Sequence, residues 1–181
     1  SSSKNDIKSV RHDYKLIEND EEIDGLVAEL QKHDVIAFDT ETTGLDLYSS
    51  FLVGMSFSVK AHEAWYVALP TDFSFTKKIL QKFVPIFNNN KKTIVGQNIK
   101  FDLSMLKNYG IEIEAELFDT MIAHYLIEPE QRHNMDYLAE TYLGYSPVAI
   151  EELIGKGRTQ KNMSEVPLEQ VKEYAAEDAD V

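Results

Sequence analysis

The first regular pattern of apolar and polar positions begins at Tyr14. Residues 14–19, YKLIEN, read as a short strand, and the acidic run NDEEID then opens a helix. Its apolar positions Ile23, Leu26, Val27 and Leu30 keep helical spacing until Lys32 and His33. Three strand candidates follow in close succession: Val35 to Asp39, Phe51 to Val59 and Ala64 to Leu69. In the second, Leu52, Gly54, Ser56 and Ser58 alternate with Phe51, Val53, Met55 and Phe57. Short turns between consecutive strands predict an antiparallel meander. After Pro70 the pattern becomes helix, strand, helix: Thr76 to Phe87, Thr93 to Gly96, and Ile99 to Tyr109 closed by Gly110. The rest reads as helical at Asp119 to Ile127, Met135 to Leu143, Ile150 to Ile154 and from Leu168 onward. The expected fold class is α/β, a mixed sheet of antiparallel meander plus parallel strands with helices packed on both faces. The turn GKGRTQK, residues 155–161, is the segment expected to move.

Composition narrows the options. A chain of 181 residues with 43% hydrophobic content can bury one sizeable core. The expected organisation is an N-terminal linker, residues 1–13, and one domain over 14–181 whose terminal helix is cut. No apolar run approaches the roughly 18 residues of a membrane span, and SSSKNDIKS lacks the apolar core of a secretory signal. A cytoplasmic monomer is therefore expected. The absence of cysteine excludes disulfides and thiolate metal sites, so a bound metal would be a hard, oxygen-ligated ion. A formal net charge of −13 argues against binding nucleic acid through a broad basic face. Divalent cations would have to offset the acidity locally.

Candidate chemistry starts at VIAFDTETTGLDL, residues 35–47. In a strand, Asp39 and Glu41 project to the same face about 6–7 Å apart, where each raises the other's pKa unless a cation intervenes. VGQNIKFD, residues 95–102, puts Asn98 and Asp102 four apart at a helix start, and YAAEDAD, residues 174–180, does the same for Tyr174 and Asp178. Four carboxylates, Asp39, Glu41, Asp102 and Asp178, form an oxygen donor set suited to Mg²⁺ or Mn²⁺. Two such ions are a recurrent device of phosphoryl transfer. The scattered histidines His33, His62, His124 and His133 have no mutual metal spacing, and structural roles are expected of them. GKGRTQK lacks the glycine spacing of a phosphate loop.

Taken in order, FDTETTGL, GQNIKFD and YAAEDAD resemble the three motifs of the DEDD 3′–5′ exonucleases of the DnaQ-like group, in the subtype with tyrosine in the third motif. FDTMIAHYLIEP, RHNMDYLAETYL and EELIGKGRTQ further resemble the proofreading domain of bacterial DNA polymerase I. The resemblance runs from Tyr14 to the last residue. It implies a ribonuclease-H-like fold in which Asp39, Glu41, Asp102 and Asp178 hold two divalent ions. It also implies in-line attack of water on the terminal phosphodiester, with Tyr174 orienting that water and a nucleoside 5′-monophosphate as product. Thr42 and Leu45 would lie beside the terminal nucleotide, Gln97, Asn98 and Phe101 would line the same pocket, and Arg132 would meet a phosphate. The implied partners are a single-stranded or frayed DNA 3′ end and a polymerase domain in the same full-length chain. A ribonuclease-D-like RNA trimmer, a RecQ-helicase-linked exonuclease and an inactive structural domain are the alternatives, the last disfavoured by the presence of all four acids. One position departs from the pattern: Ile150 stands where the polymerase family has an aromatic that stacks on a base, leaving Tyr145 or another ring to replace it.

Overall fold

The computed structural model describes residues 4–181. Six strands, β1 (Asp13–Ile17), β2 (Val35–Thr42), β3 (Leu52–Lys60), β4 (Glu63–Ala68), β5 (Thr93–Gly96) and β6 (Glu116–Asp119), form one sheet in the order β1-β4-β3-β2-β5-β6. β2, β3 and β4 are the antiparallel meander, while β1 on β4, β5 on β2 and β6 on β5 pair in parallel. The expected mixed sheet is thus observed. It has one more strand than the sequence pattern indicates, because the ELFD segment of β6 is only four residues long and largely exposed at the sheet edge.

One face of the sheet carries α1 (Asp20–Gln31), α2 (Phe73–Lys82), α3 (Val84–Phe87) and α4 (Ile99–Asn108). Ile36, Phe38, Met55, Phe57 and Ile94 meet Leu30, Leu80, Phe83, Phe87 and Met105 there in the main core. The helix expected over Thr76 to Phe87 is two helices. Pro85 lacks the N–H that a continuous helix would use, so the chain breaks at Phe83 and restarts with proline in the first turn of α3. Asn19 and Glu22 form a capping box at the start of α1. At its other end the buried Lys92 donates to the carbonyls of Leu30, Gln31 and His33 at 3.3, 2.9 and 2.6 Å. A cation from the strand entry thereby satisfies the negative end of the helix.

The opposite face carries α8 (Leu168–Asp180), which crosses β1, β4, β3 and β2. Close approach is possible because both surfaces are small: Ala175, Ala176 and Ala179 lie on the helix, and Gly54, Ser56 and Ser58 are buried or part-buried in β3. At Gly54 a Cβ would stand 2.1 Å from the Tyr66 hydroxyl, so only glycine fits under that ring. α5 (Thr120–Ile127), α6 (Met135–Leu138) and α7 (Ile150–Ile154) lie between β6 and α8, and α6 runs on into a wide helical turn over Ala139–Leu143. Residues 4–12 lie along this region: Asn5 bridges Tyr145, with the Asn5 amide donating to the Gly144 carbonyl at 3.0 Å and the Ser146 amide to the Asn5 carbonyl at 2.8 Å. No helix among the described residues is long and apolar enough to cross a membrane.

Candidate active site

The strand β2 extends through Thr42, so its alternation continues past the apolar run. Ile36 and Phe38 point into the main core. Asp39 and Glu41 point to the α8 side, where α8 delivers Asp178. One oxygen of each of these three carboxylates lies within 4.8 Å of the others. Thr40, between them, faces the other way and holds Asp102 from α4. Its amide donates to Asp102 Oδ1 at 3.0 Å and its hydroxyl donates to the same atom at 2.5 Å. The four predicted ligands therefore divide. Asp39, Glu41 and Asp178 make one cluster, and Asp102 stands beside it, fixed through one oxygen.

The electrostatics follow from burial. Asp39 is held well above the usual carboxylate range, first by desolvation and then by the charges of Asp102, Glu41 and Asp178. Glu41 rises in the same direction through desolvation and the charges of Asp178 and Asp102. Burial also raises Asp178, against a lowering contribution from the Tyr174 hydroxyl. Asp102 is pushed up to about 6 by burial, with the two Thr40 donors opposing the rise. Tyr174 moves far upward through burial and the neighbouring Asp178 and Glu41 carboxylates, so its phenol stays neutral and can donate a hydrogen bond. An all-oxygen cluster of acids that repel one another in a desolvated pocket is chemistry suited to a divalent cation such as Mg²⁺ or Mn²⁺. Asp39, Glu41 and Asp178 would hold one ion, and the free oxygen of Asp102 would serve a second beside it.

A cleft of about 600 Å³ opens over the cluster, lined by Thr42, Leu45, Phe101, Tyr174, Ile150 and Lys161 among others. Leu45 is 87% exposed, which sets aside core packing as its role. Thr42 donates to the Gly44 carbonyl at 2.8 Å and shapes the turn that presents Leu45. Gln97 is not in this cleft but on the rim of a neighbouring apolar groove. Its amide oxygen accepts from the Thr120 hydroxyl at 2.5 Å and its amide nitrogen donates to the His133 carbonyl at 2.6 Å. Asn98 precedes α4 in the left-handed conformation, φ 54°, so it does not share a helical face with Asp102. Arg132 is exposed and forms no ion pair among the described residues.

Three relationships escaped the sequence pattern. Among the described residues Lys161 is the one cation lining the acidic cleft, brought there because its amide donates to the Ile154 carbonyl at 2.7 Å and Gly155 and Gly157 turn the chain at φ 79° and 68°. His124 and His133 meet with Nδ1 atoms 2.7 Å apart, a pairing across a nine-position separation, partly helical and partly irregular, that the sequence does not signal. Tyr145 cannot replace the missing aromatic, because its hydroxyl is committed to the buried Glu177 at 2.5 Å. The wall of the cleft is therefore aliphatic at Ile150, with Phe101 also lining it.

A sheet of this order with carboxylates at the end of its central strand is a ribonuclease-H-like fold of the exonuclease type. Escherichia coli RNase D, described as an exoribonuclease involved in structured RNA processing, superposes with a TM-score of 0.71 at 22% identity, over 93% of this chain and 42% of that one. Brucella melitensis NrnC with bound Mg²⁺ superposes with a TM-score of 0.65 at 18% identity, over 94% of this chain and 76% of that one. The chain belongs to the 3′–5′ exonuclease family, whose model matches residues 14–181. Among its curated relatives, DNA polymerase I of Borreliella burgdorferi is 39% identical over 171 residues, 93% of this chain. The chain spans only 18% of that relative's length.

Proposed function

We propose that this chain is the proofreading module of a DNA polymerase I, a metal-dependent exonuclease that removes nucleoside 5′-monophosphates from single-stranded or frayed DNA 3′ ends. The observation that carries this reading is the convergence of Asp39, Glu41 and Asp178 within 4.8 Å, flanked by Asp102, at the floor of an open cleft. Two divalent ions, if held by Asp39, Glu41, Asp178 and Asp102, would supply Lewis-acid stabilisation for phosphodiester hydrolysis. The chain's own residues do the rest. Tyr174, neutral across the working pH range, orients the attacking water through its hydroxyl and does not act as its base, since a phenol so raised is not ionised. Leu45 and Phe101, which both line the cleft, contact the terminal nucleoside, while Lys161 and Arg132 meet the phosphates that the acidic net charge would otherwise repel. Selectivity for mispaired ends follows from melting: a frayed end reaches the cleft at lower cost than a paired one.

The test compares 3′-labelled single-stranded DNA with RNA of the same sequence, in Mg²⁺ or Mn²⁺ and in chelator. Metal-dependent mononucleotide release from DNA, faster than from RNA, is the expected result. A folded chain that releases nothing at any metal concentration would overturn the assignment, and preference for RNA would make it an RNA trimmer.

A further inference from the structure

The turn from β6 into α5 carries two polar side chains with no place in the chemistry above, and both are fully engaged. Asp119 caps two helix starts at once. Its Oδ1 accepts from the amides of Met121 at 2.9 Å and Ile122 at 3.2 Å, at the start of α5, and from the amide of Asn98 at 3.2 Å. Its Oδ2 accepts from the amide of Ile99 at 3.0 Å, the first residue of α4. The Asn98 backbone gripped in this way is the left-handed one, a conformation that a residue with a Cβ holds only against steric cost. Three residues beyond the grip, α4 presents Phe101 to the cleft, and one residue further it presents Asp102 to Thr40.

Thr120 continues the connection in the other direction. Its hydroxyl donates to the Gln97 amide oxygen, and Gln97 passes the constraint to the His133 carbonyl, next to Arg132. His133 is fixed a second time through its ring, by His124 of the same α5. One two-residue turn thus sets the metal-ligand helix through Asp119 and the Arg132 loop through Thr120.

We infer that Asp119 and Thr120 are positioning residues with separable effects: Asp119 places Asp102 for metal binding and catalysis, and Thr120 places Arg132 for substrate binding. This rests on the exonuclease reading for its kinetic arm. A simple helix cap would affect stability only, so the test uses readouts that stability alone does not move.

Asp119→Asn and Thr120→Val are compared with the parent chain in kcat, KM for single-stranded DNA, Mn²⁺ binding by electron paramagnetic resonance, and thermal unfolding. Asp119→Asn is expected to lower kcat by roughly 10²-fold, the effect of a misplacement of about 1 Å, and to weaken binding of one of two Mn²⁺ ions while leaving KM nearly unchanged. Thr120→Val is expected to raise KM about fivefold, the worth of one neutral hydrogen bond, with kcat and Mn²⁺ binding unchanged. If Asp119→Asn fails to fold, Asp119→Ser, whose single short oxygen caps one helix start and not two, carries the same comparison. Folded variants with Mn²⁺ binding and kcat within twofold of the parent, or both variants raising KM alike, overturn the inference. If the parent chain lacks exonuclease activity, the functional reading fails, while the Mn²⁺ comparison still decides whether Asp119 places a ligand.

Discussion

Replacing Asp102 by asparagine should make the metal-free protein more stable and inactive at once. Asp102 is 3% exposed, and burial pushes its carboxyl up to about 6 from an ordinary 3.8. At about 1.4 kcal/mol per pH unit, ionising it inside the fold at neutral pH costs about 3 kcal/mol relative to the unfolded chain. Because the folded state holds this proton more tightly, stability falls as pH rises from about 3.8 to about 6 and stays low above that window. Asparagine keeps an oxygen to accept from the Thr40 amide and hydroxyl but carries no charge. Urea unfolding in chelator should therefore show Asp102→Asn more stable than the parent by up to about 3 kcal/mol at pH 7.5, with the difference closing toward pH 4. Mg²⁺ at a hundred times its dissociation constant stabilises the parent by about 2.7 kcal/mol and should erase most of that gap. A variant less stable than the parent at pH 7.5, or a difference independent of pH, would refute the account of Asp102 as an acid whose charge the bare fold disfavours.

Other outcomes follow from the same geometry. Tyr174→Phe should lower kcat by about tenfold to a hundredfold and, because the lost hydroxyl lowers Asp178, should move the acid limb of the pH–rate profile upward if at all; an unchanged kcat would mean that the hydroxyl does not orient the water. Lys161→Ala should reduce the slope of log kcat/KM against log salt by about 0.7, one phosphate contact on a single strand, and an unchanged slope would place the lysine in solvent only. Gly54→Ala should destabilise by about 1–3 kcal/mol in thermal or urea unfolding, since its Cβ would strike the buried Tyr66 ring. A neutral result there would mean that the ring relocates freely.

Legibility in the sequence depended on range. Alternation along β2 and helical spacing in α8 are local, so Asp39, Glu41, Tyr174 and Asp178 could be placed on their elements from spacing alone, and the motif resemblance joined them. Asp102 was recognised, but its clamp by Thr40 spans 62 positions and leaves no periodic trace. The same holds for Asp119, whose grip on Asn98 and Ile99 reaches back 21 and 20 residues. Asn98 was misplaced because the i, i+4 pattern assumes helical backbone at both residues, and nothing local announces a left-handed one. β6 escaped because four residues at an edge, three of them exposed, carry no two-residue alternation of burial. The break at Pro85 was written plainly in the chain, yet the apolar periodicity on both sides of it favoured one continuous helix.

The odd and even positions of β2 serve different masters. Ile36 and Phe38 build the main core and Thr40 fastens Asp102, whereas Asp39 and Glu41 turn to Asp178 across the sheet. A period of two means that deleting a single residue ahead of Asp39 would not merely shift this centre along the strand. It would turn it inside out, driving two carboxylates into a bed of phenylalanines and facing apolar side chains toward the cleft. Substitutions along β2 can thus be graded and repaired one at a time, while insertions and deletions there have no tolerable intermediate, so the spacing of this strand is under tighter constraint than most of its individual side chains.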